Sequence, residues 1–449
     1  MKSTRREFIC GAAAVAAAAS SGGIEKKKDV RLRIAVMSDN QLRPERDNWG
    51  WYMLGRALEM LKPMKVDVVL NAGDISDFDD IPTIGGYLDD CRAKLGGAEH
   101  FAVPGNHDIW LRKGSGRTHD QVIDEFYSVF GQGKGHVTRR TIGGYDFVAV
   151  ASRENIGKGE YYAAEAEELA KTLGECVRRD PSKPVFVLTH YQPAGTVLGS
   201  SDAYGVHLRN VLDRFPQVVS LSGHTHCPLR NELMIWQKEF TAINTSTLHY
   251  GCYPGRRVNT VGGILPLARE SVGFMVIDVF DTRIEVRRYN TDDGKELTAP
   301  DERWSFDIPY CPDRPRYPES RRGVAPQFAA GARMLSRYDY GFIHFLFDPA
   351  EGRDGVEGYR LEIAEMMSGG ETSNAKSYMY VSDFYRLERF RGGRVNLRAP
   401  AFSLEPGKSY RISVRPRNWF GDEGEPLTLT MNVSEGYRFR NINEIYPQE

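Results

Sequence analysis

Five short motifs place side chains that can bind metal ions at well-separated points of the chain. They are Asp39 with Gln41, Gly73-Asp74, Gly105-Asn106-His107-Asp108, His190, and Gly223-His224-Thr225-His226. Together the motifs offer carboxylate, carboxamide and imidazole groups, but no thiolate. Such mixed oxygen and imidazole ligands suit Mn, Fe or Zn, and they do not suit copper(I) or an iron–sulfur cluster. The residue types therefore predict a metal site whose ligands come from distant parts of the sequence.

The segments that precede the motifs indicate how these residues could meet. Each motif directly follows a short apolar run that predicts a β-strand, at residues 32–37, 66–70, 101–103, 185–188 and 218–221. Apolar residues at helical spacing predict a helix at residues 51–61. An acidic-to-basic order of charges, which matches the helix dipole, predicts another at 162–179, and further strands are predicted at 274–280 and 284–289. In alternating α/β folds, ligands bind beyond the carboxyl ends of the strands. The sequence thus predicts an α/β domain that brings five motifs to one edge.

The ordered motifs resemble the signature of calcineurin-like metallophosphoesterases, D-x-[HQ], GD, GNH[DE], H and GH-x-H, over roughly residues 32–292. The resemblance implies a four-layer αββα sandwich and two divalent metal ions, with Mn, Fe and Zn left open. One ion would be held by Asp39, Gln41, Asp74 and His226. The other would be held by Asp74, Asn106, His190 and His224, so that Asp74 bridges the pair.

The same resemblance implies hydrolysis of a phosphomonoester, phosphodiester or pyrophosphate by a metal-activated water. His107 would protonate the leaving group or stabilise the transferring phosphoryl group, and Asp108 would orient His107. Gln41 stands where most members have His, which would either favour Mn or Fe at the first metal position or weaken that position. His249 follows the last motif and is predicted to contact substrate. Asp77 is predicted as a helix-start cap.

The 449 residues predict two to three domains. Residues 1–23 resemble a twin-arginine signal peptide, with Arg5-Arg6 before an alanine-rich run, so we expect export to the periplasm. Residues 32–292 form the predicted phosphoesterase domain, and the proline-rich residues 293–327 a linker or a strap across it. Short alternating strands at 328–435 predict an all-β sandwich. There, the L-x-P-G-x-x-Y stretch that ends at Tyr410 resembles a fibronectin type III tyrosine corner, whose hydroxyl bonds the backbone upstream.

The charge, the apolar runs and the cysteine spacing of the chain indicate which kinds of protein it is. The chain has 59 basic and 60 acidic residues, a net charge of -1 that argues against a dedicated nucleic-acid binder. We expect a small phosphorylated substrate. Beyond the N-terminal segment, no run approaches the roughly 18 apolar residues of a membrane span, so we expect none in the mature chain. The six cysteines include no C-x-x-C pair, which favours isolated thiols over a disulfide framework.

One alternative reading comes from a different functional class. A degenerate phosphoesterase scaffold could bind metal without turnover, and the C-terminal sandwich would then be the functional module, with contacts to a surface or a polymer. The retained His107 and the complete second set of ligands argue against this alternative. A panel of phosphate substrates separates the two hypotheses.

Overall fold

The computed structural model describes residues 29–111, 115–154, 157–255, 257–339, 341–401 and 404–434, so the predicted signal peptide lies outside the described residues. The strands in the described part are β1 Leu32–Met37, β2 Val68–Asn71, β3 Glu99–Ala102, β4 Val137–Ile142, β5 Tyr145–Val150, β6 Val185–Thr189, β7 Val218–Ser222, β8 Ile235–Gln237, β9 Thr241–Asn244, β10 Gly273–Val279, β11 Arg283–Asn290, β12 Trp304–Asp307, β13 Leu335–Asp339, β14 Phe342–Phe347, β15 Gly358–Met366, β16 Thr372–Val381, β17 Val395–Pro400, β18 Ser409–Arg417 and β19 Leu427–Asn432. The α-helices are α1 Trp49–Leu61, α2 Ile81–Leu95, α3 His119–Phe130, α4 Ala166–Arg179 and α5 Asp202–Leu212.

Two six-stranded sheets form the centre of the first domain. Their strand orders are β12-β11-β10-β1-β2-β3 and β4-β5-β6-β7-β9-β8. In the first sheet β1, β2 and β3 run parallel, and in the second β5, β6, β7 and β9 do so. Every residue of β1 and β6 is buried, as parallel strands covered on both faces require. Helices α1–α3 cover one sheet and α4 and α5 the other, which confirms the predicted four-layer αββα sandwich.

The helix ends show how the sequence fixes local structure. The Asn48 side chain caps α1 by accepting hydrogen bonds from the N–H groups of Gly50 and Trp51. Helix α4 begins at Ala166 and not at the predicted Tyr162, because Tyr162 has a left-handed φ of 63° that a helix cannot contain. Its acidic first turn and basic last turn match the helix dipole, as expected.

The segment 293–327 does more than connect two domains. Its strand β12 pairs antiparallel with β11 and buries Trp304, so the first sheet extends past the predicted boundary at residue 292. Further on, the Tyr317 carbonyl accepts a hydrogen bond of 2.9 Å from the Gln237 N–H at the edge of the second sheet. The segment therefore contacts both sheets.

The C-terminal strands form a β-sandwich, as predicted. A three-stranded sheet, β13-β14-β17, faces a four-stranded sheet, β16-β15-β18-β19. Phe345 and Leu397 of the smaller sheet share one core with Leu361 and Ile412 of the larger sheet. The Tyr410 hydroxyl accepts a 2.8 Å hydrogen bond from the Glu405 N–H, which is the expected bond to backbone upstream.

The described cysteines are all free. Among the described helices, none combines the length and the apolar character that crossing a bilayer demands.

Candidate metal centre

The loops that follow β1, β2, β6 and β7 are joined to one another by backbone hydrogen bonds. The Asp39 N–H donates to the Gly73 carbonyl at 2.9 Å, and the Gly223 N–H donates to the His190 carbonyl at 3.1 Å. The Asp39 carboxylate then bridges the two sheets by accepting from the His224 N–H at 3.0 Å. Because parallel strands end at the same edge, these bonds gather the motifs of both sheets into one place.

The glycines of three motifs make room for the side chains of other motifs. A Cβ at Gly105 would overlap the Asp74 carboxylate and one at Gly223 would lie 2.5 Å from Asp39 Oδ2. A Cβ at Gly73 would lie 2.6 Å from His190 Nδ1, and its φ of 95° also favours glycine. The glycines in GD, GNH and GH are therefore packing requirements of the site.

Five of the seven predicted ligands have left-handed backbone. Their φ angles are 51° for Asp39, 47° for Gln41, 54° for Asp74, 68° for His224 and 54° for His226. This conformation costs on the order of 1 kcal/mol or more for each residue that is not glycine, and such strain concentrates at functional sites. The described surroundings must stabilise this edge strongly enough to hold five such residues together.

One half of the site brings acceptor atoms together around His190. Its Nδ1 lies 2.9 Å from the Ala72 carbonyl and donates a hydrogen bond to it, so Nε2 is the ring nitrogen that faces the other ligands. Its Nε2 lies 3.0 Å from Asn106 Oδ1 and 3.4 Å from Asp74 Oδ2. Asn106 Oδ1 is also 3.1 Å from His224 Nδ1. Lone pairs of oxygen and nitrogen thus converge, and only a proton or a cation can relieve their repulsion.

The other half repeats the pattern around His226. Its Nδ1 lies 3.0 Å from the Tyr250 carbonyl, and its Nε2 lies 3.0 Å from Asp39 Oδ1. Ser38 Oγ also hydrogen-bonds the Asp39 carboxylate. Gln41 is buried, and its N–H donates to the Asp74 carbonyl at 3.0 Å. The structure therefore joins six predicted ligands through their side chains and Gln41 through its backbone.

The donor set fits divalent metal ions. Ligand atoms of Asp39, Asp74 and His190 all lie within 4.8 Å of one another, and all three residues are buried. Burial raises the pKa of Asp74, but His190 and His107 outweigh burial and hold it below its usual value. Burial lowers the pKa of His190, but the neighbouring Asp74 carboxylate raises it, to about 10. Buried carboxylates need such cationic partners, and divalent ions beside oxygen and imidazole ligands supply that charge.

His107 lies at the edge of this cluster. Its N–H donates to Asp74 Oδ1 at 2.9 Å, and its ring Nδ1 lies 3.1 Å from the Asp77 carbonyl and 3.4 Å from the Asp77 carboxylate. Burial lowers the pKa of His107, but the hydrogen bond to Asp77 and the charge of Asp74 raise it to about 9. Asp77 therefore holds the ring and favours its protonated form. The predicted cap role of Asp77 is not what the structure shows, since α2 begins after Asp80.

Asp108 does not contact the His107 ring as the sequence predicts. Its fully buried carboxylate accepts from the N–H groups of Gly105 at 2.9 Å and Ser76 at 2.8 Å. It therefore ties the loop after β3 to the loop after β2. Neighbouring positions in a tight turn point in different directions, which is why Asp77, on another loop, takes the contact with His107.

The loop after β9 carries His249, the predicted substrate contact. The His249 carbonyl accepts from Trp49 Nε1 at 2.9 Å, and burial lowers the pKa of the imidazole to about 4. The ring lies 5.3 Å, centroid to centroid, from that of Tyr250. His249 is thus close to the His226 half of the site, and its contact with substrate stays a prediction.

An aromatic cluster beside His224 was not predicted. The Tyr191 ring lies 4.4 Å from the His224 ring and stacks on Tyr204 at 4.6 Å. The Tyr191 hydroxyl donates to Glu154 at 2.6 Å. The sequence signal was limited to the position of Tyr191 directly after His190, since Tyr204 lies in α5 and Glu154 lies on another loop.

A comparison with protein families agrees with this architecture. Residues 32–228 match a family model described as calcineurin-like phosphoesterase. The purple acid phosphatase PPD1 from yellow lupin (Lupinus luteus) seeds is 13% identical, with a TM-score of 0.43 over 62% of this chain and 53% of the lupin chain, so this chain spans about half of that protein. Vacuolar Protein Sorting 29 from Cryptosporidium parvum is 13% identical, with a TM-score of 0.31 over 61% of this chain and 97% of that one.

For the C-terminal region, the third fibronectin III domain of human KIAA0343 protein is 18% identical, with a TM-score of 0.19 over 26% of this chain and 90% of that one. No curated protein matches the chain.

Proposed function

We propose that the protein hydrolyses a phosphate ester, which is a phosphomonoester, a phosphodiester or a pyrophosphate, since residues 32–228 match a family model described as calcineurin-like phosphoesterase. The observation that carries the proposal is the convergence of acceptor atoms at the edge of the two sheets. His190 Nε2 lies 3.0 Å from Asn106 Oδ1 and 3.4 Å from Asp74 Oδ2, an arrangement that a bound cation would stabilise. We further propose that the protein is exported, and this proposal rests on the N-terminal sequence pattern alone.

Two ligand sets would hold two divalent ions. Asp39, Gln41, Asp74 and His226 form the first set, and Asp74, Asn106, His190 and His224 form the second. When bound, such a metal pair supplies a nucleophilic water at neutral pH and neutralises charge on the transferring phosphoryl group. The chain's own part is to fix the ligands in place, through the backbone partners of His190 and His226 and the close approach of the three glycines.

His107 would supply a proton to the leaving oxygen. Asp77 occupies its Nδ1, so Nε2 is the ring nitrogen left for substrate. The ring also lies 5.6 Å from that of Trp110, which is 54% exposed and forms part of the surface around His107. Asp108 acts at a distance by tying the two loops that carry Asp74 and His107.

The test is hydrolysis of p-nitrophenyl phosphate and bis-p-nitrophenyl phosphate by protein loaded with Mn, Fe or Zn. We expect turnover by the wild-type protein and at least about 1,000-fold lower kcat/KM in Asp74→Ala and in His224→Ala, since each change removes a metal ligand. Asp281→Ala is the matched control, because Asp281 pairs with Arg31 at the exposed surface. Circular dichroism must show that all variants are folded.

Two outcomes contradict the proposal. Wild-type turnover that survives in folded Asp74→Ala and His224→Ala would show that the cluster is not the active site. Metal binding without turnover across a broad phosphate panel would instead support a non-catalytic binding protein.

A further inference from the structure

A cavity of about 710 Å³ opens beside His224, next to the proposed metal centre. Its other walls come from Thr225 and from the segment after the last motif, including Cys252, Tyr253 and Arg257. A phosphoryl group held at the metal centre would therefore direct the rest of its substrate toward this cavity. The cavity is large enough for a leaving group of the size of a sugar or an aromatic ring.

Residues 252–255 and 257–264 form a hairpin-like loop along the cavity. The Tyr253 N–H donates to the Gly263 carbonyl at 2.8 Å, and the Ile264 N–H donates to the Val261 carbonyl at 3.0 Å. Gly262 and Gly263 provide a left-handed turn between Val261 and Ile264, with φ angles of 60° and 87°. The loop is thus a defined wall of the cavity.

The C-terminal sandwich holds this loop from behind. The Asn259 side chain donates to the Val381 carbonyl at 2.7 Å and accepts from the Val381 N–H at 2.9 Å. The Val258 N–H also donates to the Met379 carbonyl at 2.8 Å. Tyr253 and Leu265 pack with Val381 and Tyr385 in one apolar cluster. The second domain therefore shapes the cavity without lining it.

The charge of the lining residues determines which leaving groups the cavity would bind. Among the described residues that line it, Arg257 carries a permanent charge and none is acidic. The Arg257 guanidinium lies over the Tyr253 ring, 4.6 Å from its centroid, which limits its freedom to turn away. Glu357 of the sandwich lies behind this wall. Burial raises the pKa of its carboxyl, while Tyr253 and Arg257 lower it.

We infer that the cavity is a leaving-group subsite in which Arg257 selects phosphate esters whose leaving group carries a second anionic group, a carboxylate or a further phosphate. This inference rests on the proposed phosphoesterase function. A guanidinium binds either oxyanion through paired N–H donors, which a neutral leaving group cannot use. The sandwich contributes indirectly by fixing the loop that carries Arg257.

The experiment compares phenyl phosphate with 4-carboxyphenyl phosphate and 1,4-phenylene bisphosphate, by phosphate release from the full-length protein loaded with metal. We expect the wild-type kcat/KM to be at least tenfold higher for both anionic substrates, mainly through a lower KM. Arg257→Gln should remove this ratio. Arg269→Gln is the matched control and should keep it, since Arg269 lies on the same segment but stacks on Trp49.

A binding measurement provides a readout without turnover. Calorimetry should show that 4-carboxyphenylphosphonate binds the wild-type protein at least tenfold more tightly than phenylphosphonate does, and that Arg257→Gln abolishes the difference. Asn259→Ala should reduce the difference, because it releases the loop from β16.

The experiment distinguishes a failure of the subsite inference from a failure of the phosphoesterase proposal. If the wild-type protein hydrolyses phenyl phosphate but shows equal kcat/KM for all three substrates, or if Arg257→Gln keeps the ratio, the subsite inference is wrong and the phosphoesterase proposal stands. If the wild-type protein hydrolyses none of these substrates, and also neither bis-p-nitrophenyl phosphate nor pyrophosphate, the phosphoesterase proposal itself fails, and the subsite inference fails with it.

Discussion

Single glycines in the motifs hold ligand side chains in contact. The residue at position 105 lies against the carboxylate of Asp74 and the ring of His190, so a methyl group there must displace one of them. The sequence identified the motif residues by type and order. It could not show that their glycines are spacers between ligands, because that property depends on loops from separate strands meeting.

Gly105→Ala should therefore disable the site while the fold survives. We expect lost metal and about a 100-fold lower kcat/KM, the scale of effect that a 1 Å misplacement produces. Elemental analysis and phosphatase assays measure both. Gly55→Ala is the control: its added methyl meets no atom within 4 Å, and in the interior of α1 it should raise stability by about 1 kcal/mol. Unchanged metal content in Gly105→Ala would contradict the packing account.

The partner of the His107 ring is also decided by a single residue, which is Asp77 and not Asp108. Adjacency in sequence suggested that Asp108 orients His107, whereas the fold gives that position to Asp77 and uses Asp108 to tie two loops. A single sequence does not encode which way neighbouring side chains point in an irregular turn. Contacts between different loops therefore had to come from the structure.

Asp77→Asn tests the positioning of His107. Because the hydrogen bond to Asp77 raises the pKa of His107 against the effect of burial, we expect the pKa to fall from about 9 toward the ordinary value near 6.5. NMR titration of the metal-free protein measures it directly. Asp90→Asn, which removes only a surface partner of Arg46, should leave the titration unchanged. An unaltered pKa in Asp77→Asn would mean that Asp77 does not act on the ring.

Strands and helices were predictable to different degrees. The strands before each motif are continuous apolar runs buried on both faces, and the structure confirms them. Helix α2 was not predicted, because Pro82, Gly85 and Gly86 lower its helix propensity, although Pro82 occupies the first turn, where proline is tolerated. Tertiary packing against β-strands, which supplies the stability of such a helix, is invisible in the sequence.

His100, in strand β3, makes the free energy of unfolding of the domain depend on pH. Burial, with the charges of Arg92 and Arg140, lowers the pKa of His100 to about 4, so the unfolded chain binds more protons than the folded chain between pH 6.5 and 4. Stability must therefore fall as pH falls through that window, by up to about 3 kcal/mol from this residue.

His100→Phe should flatten this part of the pH profile, since it removes the titrating group and keeps an aromatic side chain. Urea unfolding at pH 7 and pH 4.5 measures the difference. An equal loss of stability in the wild-type protein and His100→Phe would assign the acid sensitivity to other groups.

The whole molecule joins two domains through contacts that the sequence could not locate. The pattern of short alternating strands after residue 328 predicted the sandwich, and the Tyr410 hydroxyl makes the expected hydrogen bond to the backbone. The proline-rich pattern at 293–327 left linker and strap open, because proline marks irregular backbone but not what that backbone touches. Pairing of β12 with β11 fastens this segment to the first sheet. The hydrogen bonds between Asn259 and Val381 join the first domain to the sandwich.

The most direct test of the account is anomalous diffraction from crystals of the protein grown with Mn²⁺. Two anomalous peaks should appear about 3.5–4 Å apart, the separation typical of two-metal sites. One should lie beside Asp39 and His226, the other beside Asn106, His190 and His224, with Asp74 between them. Crystals of Asp74→Ala should lose at least one peak. Full anomalous signal elsewhere on the molecule, with no peak among these residues, would contradict the account.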